Sequence, residues 1–216
     1  VLSGASILMN SVMEEKANRV LEVLLSSATT TQILAGKVLG VAGIAVTVMG
    51  TWGILGFALL SQGAPAFATD LFAGFDDPWL FAYLGAYFVG GYVMYATIFA
   101  AIGAFCETPR DAQTLFGPVF LMLAVPVVAM NFALRSPDLP IVKTLSWIPF
   151  FTPFLMSARA PADPPLWEIA GTIGLMAVTT IVVVWLGSKA FRAGALSNVK
   201  PDWKGLIALM RGKAGA

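Results

Sequence analysis

The sequence predicts an all-α polytopic membrane protein, a helix bundle crossing the bilayer several times. Three observations lead there. Of its 216 residues, 58% are hydrophobic and only 12% charged, where water-soluble domains carry about a quarter charged. The mean hydropathy is +0.82. Four windows, residues 38–60, 78–105, 112–134 and 169–187, hold no Asp, Glu, Lys or Arg, and each approaches or exceeds the roughly 20 apolar residues a helix needs to cross a bilayer core about 30 Å thick.

The elements follow in chain order. Residues 1–12 are uncharged but too few to span, and they begin without a Met or a basic segment, so they read as the end of a membrane helix and not as a signal peptide. Residues 13–37 interleave charge with apolar positions. The first two full spans, 38–60 and 78–105, are separated by an acidic loop containing Asp70, Asp76 and Asp77. The short turn around Glu107, Arg110 and Asp111 precedes the third span, 112–134. The fourth, 169–187, leads into a basic tail, 188–216.

Basic residues are retained on the cytoplasmic side of a membrane, so their distribution sets the orientation. Lys16, Arg19, Lys37, Arg110, Lys189, Arg192, Lys200, Lys204, Arg211 and Lys213 fall in one set of connections, and only Arg135, Lys143 and Arg159 in the other. Residues 13–37, 106–111 and 188–216 are therefore expected in the cytoplasm, and 61–77 and 135–168 outside. This is a multi-pass protein of the cytoplasmic membrane with a cytoplasmic C-terminus.

In residues 13–37, Ala17, Val20, Leu21 and Leu24 recur at helical spacing on one face, with Glu15, Asn18, Arg19 and Glu22 on the other. The pattern is an amphipathic helix stopping near Ser26 and Ser27, and Thr29 three before Gln32 is a capping-box signal for the next helix. Such a helix can lie on lipid headgroups, but those are usually rich in Lys and Arg. The mixed charge of Glu14, Glu15, Lys16, Arg19 and Glu22 fits a protein partner better. Outside, residues 144–158 are uncharged but too short to cross, and Pro149 and Pro153 interrupt them. Prolines four apart break a helix, which predicts a broken, re-entrant pair of short helices; an aromatic interfacial anchor is the alternative.

The string EEKANRVLEVLLSSATTTQILAGKVLG resembles the segment after the second membrane helix of type-2 ABC transporter permeases, and most nearly the NatB-like sodium-efflux permeases. IPFFTPFLMSAR and KAFRAGALSNVKPDWKGLIALMR are similar to the corresponding parts of that family. The resemblance implies the C-terminal half of a six-helix permease, in which Glu14, Glu15, Lys16, Arg19 and Glu22 form a coupling helix docking into an ABC ATP-binding subunit. That partner would bind Mg-ATP, and this chain would carry no cofactor. A second permease chain, identical or homologous, is implied as well. Within this reading Pro149, Phe150, Pro153 and Phe154 form an outer gate. Gly36 and Gly40, in GxxxG spacing, serve helix packing, either inside the chain or toward the second permease.

Other chemistries lack their residues. No GxxxxGK[ST] loop, HExxH or GxSxG occurs, there is no His, and Cys106 is the lone cysteine, so no ATPase site, metalloprotease or serine hydrolase is expected. A net charge of +1 gives no basis for nucleic-acid binding. The middles of the spans hold no ionisable residue, which disfavours an ion-coupled carrier. A scaffold or sensor subunit that recruits a cytoplasmic partner, and an ATP-independent channel or carrier, stay open as alternatives.

Overall fold

The computed structural model describes residues 2–18, 20–61, 78–106 and 108–196. In chain order the helices are α1 (Leu2–Ala17), α2 (Val20–Ser27), α3 (Thr30–Ser61), α4 (Pro78–Phe105), α5 (Pro109–Arg135), α6 (Pro140–Ser146), α7 (Thr152–Arg159) and α8 (Leu166–Leu196), with a 3-10 turn at Ala160–Ala162 after α7. No strand occurs among the described residues, so the chain is all-α. Four of these helices are long and apolar enough to cross a membrane, through Thr31–Gly56, Ala82–Phe105, Arg110–Arg135 and Leu166–Arg192. The acidic loop with Asp70, Asp76 and Asp77, Glu107, and the tail beyond Leu196 lie outside the described residues.

Helix ends follow local chemistry. Thr29 and Gln32 form a reciprocal box before α3: the Thr29 N–H donates to Gln32 Oε1 at 2.9 Å and the Gln32 N–H to Thr29 Oγ1 at 3.4 Å. Thr108 and Asp111 repeat it before α5, at 3.1 and 3.3 Å. Each box satisfies two backbone donors that a helix start leaves orphaned. α4, α5 and α6 open on proline, which costs nothing where the N–H has no intrahelical acceptor. At the end of α2, Ser26 Oγ donates to Val23 O at 2.6 Å and Ser27 Oγ to Leu24 O at 3.1 Å, the latter carbonyl also accepting the Ala28 N–H at 2.9 Å, local bonds of the kind serine makes at helix ends.

The contacts resolve into two compact units. The first falls within Val1–Ala42, Tyr92–Ala124 and Val178–Ala216. Its core joins Leu8 and Val12 of α1, Leu34 and Val38 of α3, Phe191 of α8, and Tyr92, Ala96, Ala100 and Ala104 of α4. The alanines, four apart, make one flat ridge along α4. Lipid is as apolar as leucine, so packing in a membrane depends on close backbone approach. Here it runs through three glycines: a Cβ at Gly103 would stand 2.6 Å from Met9 O, one at Gly187 2.3 Å from Thr97 Cγ2, and one at Gly194 3.0 Å from Ala104 O.

The second unit falls within Gly43–Gly91 and Val125–Ala177. Tyr87 of α4, Met156 of α7, and Ile169 and Met176 of α8 form its core. A Cβ at Gly91 would stand 2.5 Å from Pro153 Cβ, and one at Gly171 2.6 Å from Trp147 Cη2. α6 and α7 are thus set closely against the longer helices of that unit.

α4 is the buried span and α3 the exposed one. In an apolar 18-residue stretch of Ala82–Phe105, 72% of residues are buried, against 6% in the corresponding stretch of Thr31–Gly56. Gly36 and Gly40, with Gly43, Gly50, Gly53 and Gly56, meet nothing within 4 Å of a Cβ. Packing inside the chain, the first of the two roles expected of Gly36 and Gly40, therefore runs through Gly103, Gly187 and Gly194, where backbones actually cross. Leu39, Ile44, Trp52 and Ile54 of α3 are exposed, as suits a helix solvated by lipid or by another membrane chain.

Candidate functional site

The charged segment begins inside a helix. α1 continues through Glu14, Glu15 and Lys16, and the Asn18 N–H still bonds Glu14 O at 3.0 Å. Asn competes with helix geometry through its own side chain, and the chain breaks there before α2 begins at Val20. Of the five charged positions implied for coupling, Glu14, Glu15 and Lys16 lie on the last turn of α1 and Glu22 on α2, and Arg19 lies outside the described residues.

Among the described side chains, Lys16 and Glu15 are engaged within the chain. Lys16 Nζ donates to Ala104 O at 2.8 Å and to Gly194 O at 2.9 Å. Both acceptors are last-turn carbonyls, of α4 and α8, at the negative end of each helix dipole. One ammonium thus ties the ends of two spans to α1. Glu15 Oε1 accepts from Lys37 Nζ of α3, which also reaches Ser11 Oγ at 3.3 Å. Glu14 is exposed. On α2, Val20 and Val23 are 42% and 69% exposed, so this short helix presents apolar side chains outward. Just beyond the α4 span, Cys106 is buried, and burial with nearby Asp111 pushes its thiol up to about 11.

In the other unit, residues 147–151 separate α6 from α7. Pro149 and Phe150 occupy that turn, half-buried. Pro153 sits in the first turn of α7, buried against Gly91, and Phe154 is half-buried. Thr152 Oγ1 donates to Ser146 O at 2.8 Å, closing the turn across the missing helical bonds. Trp147 stacks on Trp167 with ring centroids 6.0 Å apart.

Beneath this hairpin lies an ion pair that the sequence does not announce. Arg159, counted above among the outer basic residues, and Glu168 are only 2% and 3% exposed. The Arg159 guanidinium donates through Nη1 to Glu168 Oε1 and through Nη2 to Oε2 at 3.2 Å, with Ser146 Oγ at 3.4 Å from Nη1. The 3-10 turn and Asp163, whose φ of 50° is left-handed, reverse the chain so that both side chains face inward. Tyr83 Oη donates to Ala160 O at 3.3 Å, and Tyr87 Oη and Thr172 Oγ1 lie 2.8 Å apart, fastening α4 to both sides of the pair. The available signal was an Arg and a Glu flanking a proline-rich turn between apolar stretches, with nothing local to say that they meet.

No group of three or more His, Cys, Asp or Glu side chains placed to hold a metal occurs among the described residues.

The comparisons agree with this architecture. The chain is 29% identical over 197 residues to the uncharacterized protein MJ1024 of Methanocaldococcus jannaschii, an alignment covering 91% of this chain and 47% of that one. It is 30% identical over 203 residues to the uncharacterized protein YhaP of Bacillus subtilis, covering 91% and 48%. The chain thus spans about half the length of these relatives. No solved structure matches it. Residues 1–189 match the family described as ABC-2 family transporter protein, and the chain is accordingly a membrane-spanning member of the ABC-2 transporter family.

Proposed function

We propose that this chain is the C-terminal part of a permease subunit that exports a substrate with energy from ATP hydrolysed by a separate ABC subunit. The observation that carries the reading is α2: an eight-residue helix between two longer ones, with Val20 and Val23 outward and Glu14, Glu15, Lys16, Arg19 and Glu22 around its start. An exposed apolar surface beside a charged turn is what a protein cleft recognises. Mg-ATP would bind the partner, and a second permease chain would complete the pathway. Movement of α2 on nucleotide binding would pass to the spans through Lys16 and Lys37, which hold α1 against α3, α4 and α8 in one unit. Sodium is the substrate that the NatB-like resemblance suggests, and the hairpin at Pro149, Phe150, Pro153 and Phe154 would act as an outer gate.

The test is purification of the complete protein from its own membrane in mild detergent, as wild type, Arg19→Glu, Glu22→Lys and Val23→Asp, with ATPase activity assayed in the eluate. An ATP-hydrolysing subunit recovered with wild type and lost with the variants supports coupling through α2. An ATPase retained equally by all four, or recovered with none, overturns it and returns the scaffold and channel readings to the front.

A further inference from the structure

The first unit contains a groove of about 710 Å³ lined by Thr29 and Thr31, by Val93 of α4, and by Thr180, Ile181, Val184, Trp185, Ser188, Lys189 and Arg192 of α8. Its walls are mostly apolar along Val93, Ile181 and Val184, and its basic end holds two cations. Arg192 lies twelve positions after Thr180, roughly 18 Å along a helix axis, about the reach of a lipid headgroup with the upper part of an acyl chain. Lys189 Nζ sits 3.5 Å from the Trp185 ring centroid, so the ring steadies the ammonium at the groove's edge. Among the described residues no carboxylate lines the groove, and neither Lys189 nor Arg192 has an acidic partner. Trp185 and Ile181 are exposed, so the groove opens sideways, toward the space lipid fills.

We propose that this groove binds an anionic phospholipid, its phosphate between Lys189 and Arg192 and an acyl chain along Val93, Ile181 and Val184. Basic pockets between membrane helices on the cytoplasmic side suit such headgroups, and a tryptophan at the same depth suits the interface. Thr31 at the groove wall supplies a hydroxyl for a remaining headgroup oxygen. Occupancy requires only that α8 span the bilayer and is independent of the exporter reading.

The experiment is native mass spectrometry of the complete, delipidated protein titrated with phosphatidylglycerol or phosphatidylcholine. Wild type is expected to prefer phosphatidylglycerol. Lys189→Gln/Arg192→Gln is expected to lose about 30-fold in affinity for it, taking about fivefold per cation near a membrane surface, with phosphatidylcholine binding unchanged. Val184→Trp, which keeps both charges and fills the apolar half, should weaken both lipids, while Lys143→Gln on α6 should change neither. Helicity and monodispersity confirm that each variant is folded. Equal phosphatidylglycerol binding by wild type and the double variant, no preference between the lipids in wild type, or displacement by glycerol phosphate as effective as by the whole lipid would each overturn the proposal.

Discussion

Arg159 and Glu168, nine positions apart, close a two-point ion pair beneath the α6–α7 hairpin with almost no exposure to solvent. Desolvating two charges is costly, and their attraction roughly repays it only while both are present. Glu168→Gln or Arg159→Met alone should therefore destabilise the folded protein by about 3–5 kcal/mol, and Arg159→Met/Glu168→Leu should recover most of that loss. Thermal unfolding of the detergent-solubilised protein checks this; additive single losses in the double variant would show that the two side chains are not coupled.

Lys16 should act as a clamp between helix ends. Lys16→Met removes two charge-assisted bonds, to Ala104 O and Gly194 O, and should cost about 2–4 kcal/mol at the usual net worth of such bonds. Hydrogen exchange reads where the loss falls: protection should drop in the last turns of α4 and α8 before it drops in α6 and α7.

The glycines should divide by what they face. Gly103→Ala places a methyl against the Met9 backbone and should destabilise by about 1–3 kcal/mol. Gly43→Ala, Gly36→Ala and Gly40→Ala meet open space and should be neutral or stabilising by up to about 1 kcal/mol in the isolated chain, since alanine is the better helix former. If Gly36→Ala or Gly40→Ala instead weakens association of two complete chains in crosslinking, these positions pack between chains, the second of their two expected roles.

Cys106 should be an unreactive thiol. With its pKa pushed up to about 11 by burial and by Asp111, it stays protonated through neutral pH, and the thiolate is the nucleophile. Maleimide labelling at pH 7.5 should be slow in the folded protein and fast after denaturation. A raised thiol pKa favours the fold while the thiol is neutral, so this contribution is present below the unfolded value near 9 and declines as pH rises toward 11.

Much of this was legible in the amino-acid order because it is local. The spans are read from runs without charge, and the Thr29–Gln32 box and the end of α2 near Ser26 and Ser27 depend on residues within four positions of each other. The sequence pattern also made one helix of what became two at Asn18, because Ala17, Val20, Leu21 and Leu24 keep helical spacing across the break and periodicity does not register a single turn. The pairing of Glu15 with Lys37 was not legible there, because nothing local in a string marks two residues 22 positions apart.

By itself, then, the sequence determined that the chain is a set of apolar helices with a charged amphipathic interruption and a proline-broken hairpin, since hydropathy, helical period and proline chemistry act over a few residues. Only the tertiary structure decided which helix is central, which glycines are crossings, and that Lys16, Lys37 and Arg159 turn inward to carbonyls and carboxylates. Every helix here is apolar on most of its faces, so composition cannot say which face meets protein and which meets lipid. That choice rests on the fit of small residues against a particular neighbour and on the pairing of charges brought together from distant parts of the chain.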